Sequence, residues 1–230
     1  KHINTNSLRL NQWVYAKTIS LLESGKIVAC LGGEHSIPYG AIKAYSERNS
    51  FSILHIDAHA DLRVAYQGFE HSHASIMNQV MTLSKPPQKL VQVGIRDFCA
   101  EEYDYINEHK NIKTYFDYAI KQDLFSGKTW IELCEEIVDQ LGENVYISFD
   151  IDGLLPELCP QTGTPVPGGL SFEQAVFLLK TLSDKGKKII GFDLCEVAQR
   201  DSENYWDGVV GARVLYQLCG WCLKTQNGSK

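Results

Sequence analysis

Apolar and polar positions alternate along this chain in two rhythms. Short apolar runs, KIVACLG (26–32), FSILHID (51–57), KLVQVGIR (89–96), IKTYF (112–116), NVYISFDID (144–152) and KKIIGFDLCEV (187–197), have the length and β-branched content of buried strands. Between them lie segments of helical period near 8–24, 38–48, 74–83, 100–109, 128–141, 171–184 and 207–223. The clearest is 128–141, where Trp130, Leu133, Cys134, Ile137, Val138 and Leu141 fall on one apolar stripe. Strands alternating with helices predict a parallel sheet covered by helices on both faces. No Gly/Ser linker, internal repeat or low-complexity tract interrupts the pattern, so one domain over residues 1–230 is expected. The segment LLPELCPQTGTPVPGG (154–169) fits neither rhythm. It holds four of the seven prolines and reads as a rigid loop shaped for a site.

Composition narrows the function classes. With 44% hydrophobic residues in 230, the chain can bury a sizeable core. It contains no apolar run near the ~18 residues that a membrane span needs, and no membrane association is expected. Its net charge is −6 with scattered basic residues, whereas nucleic-acid binding leaves a clustered Lys/Arg footprint, so small molecules are the expected partners. Seven cysteines, an odd number lying in apolar segments such as VACLGG and GFDLCEV, fit buried thiols in a reducing, cytoplasmic setting. Cys219-Gly-Trp-Cys222 sits near the C-terminus, where helix packing is favoured over a redox role.

Ligands of open parallel sheets bind beyond the carboxyl ends of the strands. Four runs end there in polar chemistry: GGEHS (32–36), DAHAD (57–61), SFDID (148–152) and FDLCE (192–196). They bring His35, Asp57, His59, Asp61, Asp150, Asp152, Asp193 and Glu196 to one rim. So many carboxylates would repel one another unless cations sat among them. Carboxylates with a minority of imidazoles and no thiolate suit a harder divalent ion such as Mn²⁺ over a Cys-rich structural zinc, and their surplus suggests two ions. Taken singly, GGEHS also reads as a strand-to-helix turn with Ser36 as N-cap, and an isolated DxD such as Asp150-Ile-Asp152 is more often a solvated strand end. DAHAD is far more specific, because three ligand-type residues at alternate positions beside buried ones are costly without a purpose. No GxGxxG follows a strand, which argues against Rossmann-type nucleotide binding.

From about residue 13 to 222 the chain resembles the ureohydrolases, the family of arginase and agmatinase. The resemblance rests on LGGEHSIPYG, HIDAHADLR, HSHAS (71–75), SFDIDGLLPELCPQTGTPVPGGLSF and GFDLCEVA. It implies a three-layer α/β/α sandwich with a mostly parallel sheet and two Mn²⁺ ions per subunit. His35, Asp57, Asp61 and Asp150 would hold one ion, and His59, Asp57, Asp150 and Asp152 the other. It implies His73 as the proton shuttle, Glu196 as partner of the guanidinium, Asp193 as a residue orienting its loop, and a homo-oligomer, trimer or hexamer. Family members usually begin with a further strand and helix, so an N-terminal portion is expected to be missing.

The implied chemistry is attack of a metal-activated water on an amidine carbon, giving urea and an amine that leaves protonated. The chain departs from the family pattern in having Glu34 for Asp in GGEHS, Leu155 for Asp in DGLLP, and Gln199 for Pro in EVAQ. Cys99 stands where arginases place an Asp for the substrate's α-ammonium, which weakens arginine as substrate and leaves Glu102 available for an amine. Arg63 stands where arginases contact the α-carboxylate, and it favours an acidic substrate if it faces the pocket. The expected function is an agmatinase-like amidinohydrolase converting agmatine to putrescine and urea. The alternatives are a formimidoylglutamase, a guanidino-acid hydrolase or an arginase, and, from another class, a non-catalytic metal-binding or assembly protein.

Overall fold

The computed structural model describes residues 2–199 and 205–226. Six strands, β1 (Ala29–Leu31), β2 (Ser52–Ile56), β3 (Lys89–Ile95), β4 (Ile112–Phe116), β5 (Asn144–Asp150) and β6 (Lys188–Cys195), form one sheet in the order β1-β6-β5-β2-β3-β4. Every neighbouring pair is parallel. The helices are α1 (His2–Glu23), α2 (Tyr39–Arg48), α3 (Ile76–Met81), α4 (Ala100–Glu108), α5 (Asp117–Phe125), α6 (Trp130–Asp139), α7 (Phe172–Asp184) and α8 (Trp206–Gln226).

Handedness decides which helix covers which face. Crossovers between parallel strands are right-handed, so connections running one way along the sheet place their helices on one face and those running back place them on the other. The steps from β1 to β2, β3 and β4 carry α2, α3 and α4, and a core of Ile42, Tyr45, Ile53, Ile76, Met77, Val80 and Ile106 fills that side. The return from β4 to β5 and on to β6 carries α5, α6 and α7. Their core of Ile120, Leu133, Ile137, Val138, Leu178 and Leu182, joined by Val214 and Leu218 of α8, fills the opposite side. The expected α/β/α sandwich is the observed architecture. Central strand β2 is buried at every position, which is why its run reads as continuously apolar. Among the described residues, no helix is long and apolar enough to cross a membrane.

Several elements differ from the sequence expectation. The 26–32 run is a strand only over Ala29–Leu31, because it lies at the sheet edge and the backbone of Val28 bonds instead to the Tyr45 hydroxyl, at 3.0 and 3.1 Å. Helix α5 was not expected. It buries little beyond Asp117 and Ile120 and exposes Tyr118 and Phe125, so it shows no apolar stripe. Helix α1 begins at His2 rather than near residue 8, and it packs on α2 across Gly40, where a Cβ would lie 2.3 Å from the Asn11 carbonyl.

Candidate metal centre and adjoining cleft

Strands β2 and β5 are neighbours, but the chain leaves β2 toward β3 and leaves β5 toward β6, in opposite directions along the sheet. Such a switch point opens a crevice at the carboxyl edge. DAHAD follows β2 and Asp150-Ile-Asp152-Gly153 closes β5, so both motifs meet at this crevice. The two turns pack tightly: a Cβ on Gly153 would stand 2.8 Å from the backbone nitrogen of Asp57. His35 enters from the loop after β1, and Glu196 from the end of β6.

The inner part of the centre surrounds His35, whose side chain is 0% exposed. Its Nδ1 lies 3.1 Å from Asp57 Oδ2, 3.2 Å from Asp61 Oδ2 and 3.2 Å from Asp150 Oδ2. A hydrogen-bond relay fixes its tautomer. The Ser148 hydroxyl donates to Asp193 Oδ1 at 3.1 Å, so Ser148 Oγ accepts from His35 Nε2 at 2.9 Å. The Nδ1 lone pair then points at three carboxylate oxygens and makes no hydrogen bond. A lone pair aimed at carboxylates is repulsive unless a cation or a proton lies between them. Without a metal, burial lowers the His35 pKa, but the carboxylates of Asp150, Asp57 and Asp61 outweigh it and raise it well above the usual imidazole value. The donor set, one imidazole and three carboxylate oxygens, fits a hard divalent ion.

The outer part surrounds His59, 24% exposed, whose Nδ1 lies 3.2 Å from Asp152 Oδ2 and 3.4 Å from Asp57 Oδ1. Asp57, His59 and Asp152 have ligand atoms close enough to share a second ion, and Asp152 Oδ2 is another buried atom with no partner. Asp57 thus offers one oxygen to each cluster.

Without cations, protons take up the charge. Burial pushes Asp61 up to about 6, with the Asp57 carboxylate adding to the rise. Burial and then the charges of Asp152 and Asp57 push Asp150 well above the carboxylate range. Burial lowers the His59 pKa, but hydrogen bonds to Asp152 and Asp57 outweigh it and raise the group to about 11. Asp57 alone is driven well down: burial opposes this, but His55 and the other imidazoles prevail.

The centre opens into a cleft of two adjoining cavities, about 330 and 240 Å³, both lined by His59, Asp61, His73 and Thr164. Glu196 reaches the smaller one, and burial raises its pKa. Its Oε1 accepts from the His35 backbone N–H at 2.9 Å. Its backbone is left-handed at φ +61°, held by N–H donation to Gly33 O at 2.7 Å and by Thr162 Oγ1 on its carbonyl at 2.8 Å. Asp61 is the matching case at φ +54°, its carbonyl accepting the N–H groups of Met77 and Asn78 at the start of α3. Strain held by tertiary contacts at two residues of one rim marks a built site.

The Arginase family model matches residues 2–220 of this chain. N(1)-aminopropylagmatine ureohydrolase of Thermus thermophilus is 36% identical over 200 residues, covering 86% of this chain and 64% of that protein. The chain belongs to the arginase family. An agmatinase of Halalkalibacterium halodurans is 29% identical over 219 residues, covering 94% of this chain and 71% of its own length. The crystal structure of agmatine ureohydrolase of Thermoplasma volcanium superposes with a TM-score of 0.78 at 27% identity, covering 96% of this chain and 71% of that one. This arginase-family chain spans about 64% of the length of the Thermus relative.

The structure brings all six expected ligands, His35, Asp57, His59, Asp61, Asp150 and Asp152, to one crevice. It separates the two histidines of HSHAS: His73 lines both cavities, whereas His71 packs against Tyr39 at 5.6 Å between ring centroids. Arg63 lines the larger cavity with Nε 3.7 Å from Glu102, and its guanidinium lies 5.5 Å over the Tyr66 ring. Glu102 also borders that cavity, but its two oxygens accept the Leu62 and Cys99 backbone N–H groups at 2.9 Å each, so it is bound up in the fold more than the sequence suggested. Asp193 Oδ1 accepts from the Ser148 hydroxyl, the Phe149 N–H and, at 3.8 Å, the Cys195 thiol just before Glu196.

Sequence reasoning passed over His55 and Arg96. His55 Nδ1 accepts from Gln92, whose own oxygen accepts from Thr114. Its Nε2–H is therefore left to donate to Asp57 at 2.8 Å, which makes His55 a brace rather than a ligand. Its place inside β2 disguised it as a core residue. Arg96 donates to the carbonyls of Gly94, Asp152, Leu154 and Val166 and ties the turn after β5 to the proline-rich loop. An arginine just past the end of an apolar strand was the available signal.

Proposed function

We propose that this protein is a binuclear, Mn²⁺-dependent amidinohydrolase of agmatinase type, converting agmatine to putrescine and urea. The observation that carries the reading is the pair of clusters sharing Asp57, with His73 and Glu196 in the cleft that opens from them. His35, Asp57, Asp61 and Asp150 would hold one ion, and His59, Asp57, Asp150 and Asp152 the other. When bound, the two ions would supply the Lewis acidity that makes water nucleophilic near neutral pH.

The chain's own residues do the rest. Glu196 has one oxygen committed to the His35 N–H, so the other is free to grip a guanidinium, a charge-assisted contact that keeps the buried carboxylate ionised. His73 lines the same cavity and would hand a proton to the departing amine. At the mouth, the positive charge of Arg63 is offset by Glu102. Asp97, 62% exposed and lining the same cavity 3.9 Å from His59 Nε2, adds a negative charge. That balance favours a substrate with a distal ammonium over one with a distal carboxylate. The larger cavity and the name of the Thermus relative support N(1)-aminopropylagmatine as a second reading, a longer cation of the same kind.

The deciding experiment measures urea release with Mn²⁺ and kcat/KM for agmatine, N(1)-aminopropylagmatine, arginine, 4-guanidinobutyrate and N-formimidoyl-glutamate. A preference for either terminal acid that is lost in Arg63→Ala overturns the agmatinase-type reading. We also read the chain as a single cytoplasmic domain that assembles into a trimer or hexamer. The exposed Trp13 of α1 and Tyr216 of α8 support assembly, and light scattering tests it.

A further inference from the structure

The cleft holds a carboxylate for which the proposed chemistry has no use. Glu34 lies in the loop after β1, is half-buried, and lines the smaller cavity. Its Oε1 accepts both the backbone N–H and the ring Nδ1 of His73, the latter at 3.1 Å. Its Oε2 accepts both the backbone N–H of Ser36, at 2.9 Å, and the Ser36 hydroxyl. Four donors thus converge on two oxygens. Only a carboxylate satisfies them, because an amide in its place would turn an N–H₂ toward either His73 or Ser36.

A carboxylate is an acceptor only, so the contact requires the proton of neutral His73 to sit on Nδ1. Free imidazole has no such constraint, and the choice of proton-bearing nitrogen is set by what the other nitrogen meets. With Nδ1 engaged and the ring edge packed on Tyr66 at 5.6 Å, the nitrogen left for chemistry in the cleft is Nε2. The contact bridges chain segments 39 residues apart, so it also fixes the HSHAS turn against the loop that carries His35.

We propose that Glu34 is the positioning residue of His73, holding its proton on Nδ1 and its ring in place so that Nε2 is the atom exchanging protons with the substrate's leaving nitrogen. The inference rests on His73 acting as general acid in the proposed amidinohydrolase. Glu34 touches neither the six ligands' metal-facing atoms nor the reacting group, and it acts through His73.

The test is a double-mutant cycle of Glu34→Gln and His73→Asn in the Mn²⁺-loaded protein, with metal content measured for each variant. Nitrogen NMR of the metal-free, histidine-labelled protein accompanies it, with His73 identified by its loss in His73→Asn. Glu34→Gln is expected to keep both ions, lower kcat by about 10- to 100-fold, and leave KM within about twofold. The loss should vanish when His73 is already Asn, since residues that act as one unit are not additive. In the wild type, neutral His73 is expected to carry its proton on Nδ1, and Glu34→Gln should release that preference. An equal loss of kcat in the His73→Asn background, or a wild-type His73 protonated on Nε2, overturns the proposal. If no guanidino compound is hydrolysed by the wild type, the amidinohydrolase reading fails, while the NMR still decides whether Glu34 sets the tautomer.

Discussion

The two halves of the candidate metal centre are built alike but enclosed differently. His35 is sealed, with a braced tautomer and three carboxylate oxygens around one nitrogen. His59 is about a quarter exposed, faces the cleft, and has its Nε2 3.9 Å from Asp97. An ion in the first place would meet a fully buried ring among pre-organised carboxylates, whereas one in the second would be held by a ring that solvent can reach. If both places take an ion, the difference in burial predicts a tightly held one beside His35 and a more exchangeable one beside His59.

The largest effect should come from Asp57, which offers an oxygen to each half, and from Asp150, which we propose bridges them. Asp57→Asn or Asp150→Asn is expected to cut metal content from two ions per chain toward none. Full occupancy in Asp150→Asn, measured by elemental analysis, would remove the two-ion reading. Next in size is His73→Asn, expected to keep both ions yet lose about 10²- to 10⁴-fold in turnover, the usual worth of general acid–base catalysis. His35→Asn and His59→Asn should each loosen mainly one ion. Chelator release from the wild type should be biphasic, with the fast phase lost in His59→Asn, and a single phase would erase the distinction between the halves.

A smaller effect concerns pH. Asp61 and Asp193 have folded-state values raised to about 6, so the native state binds protons that the unfolded chain has already released. Stability of the metal-free protein from these groups is therefore present at low pH and lost as pH rises through about 6. His59, raised to about 11, acts in the same direction: its contribution is full below the unfolded value near 6.5 and falls as pH rises above it. The metal-free melting temperature should drop from pH 5 to pH 8, while the Mn²⁺-loaded protein should not follow it. A metal-free protein that gains stability over that interval would contradict the crowding of carboxylates. The smallest effect is His71→Asn, expected to leave kcat within about twofold because His71 packs on Tyr39 away from the cleft. A larger loss there than in His73→Asn would exchange their roles.

The candidate ligands were legible because DAHAD and the Asp150-Ile-Asp152 turn spend ionisable residues beside buried ones, a pattern that a soluble core does not tolerate without counter-charge. Helix α6 was legible from its apolar stripe, and α5 was not, since it buries almost nothing. Arg63 shows the limit most clearly. Its sequence position raised the question of an acidic substrate, and it does line the cavity, but its partner Glu102 comes from α4 and offsets its charge.

By itself, the sequence determined the alternation of strands and helices, and with it the parallel sheet, because periodicity and strand-end chemistry are local properties of the chain. It also determined which side chains would be costly to bury without a cation. The tertiary structure alone decided that the motifs after β2 and β5 meet at one crevice, since that follows from strand order and the hand of the crossovers. It likewise decided that Ser148 and Asp193 fix the tautomer of His35, that Gln92 makes His55 a brace, and that Glu34 faces His73. Such hydrogen bonds join residues tens of positions apart, and their directions depend on which donor already has an acceptor, a fact that no local pattern of residues encodes.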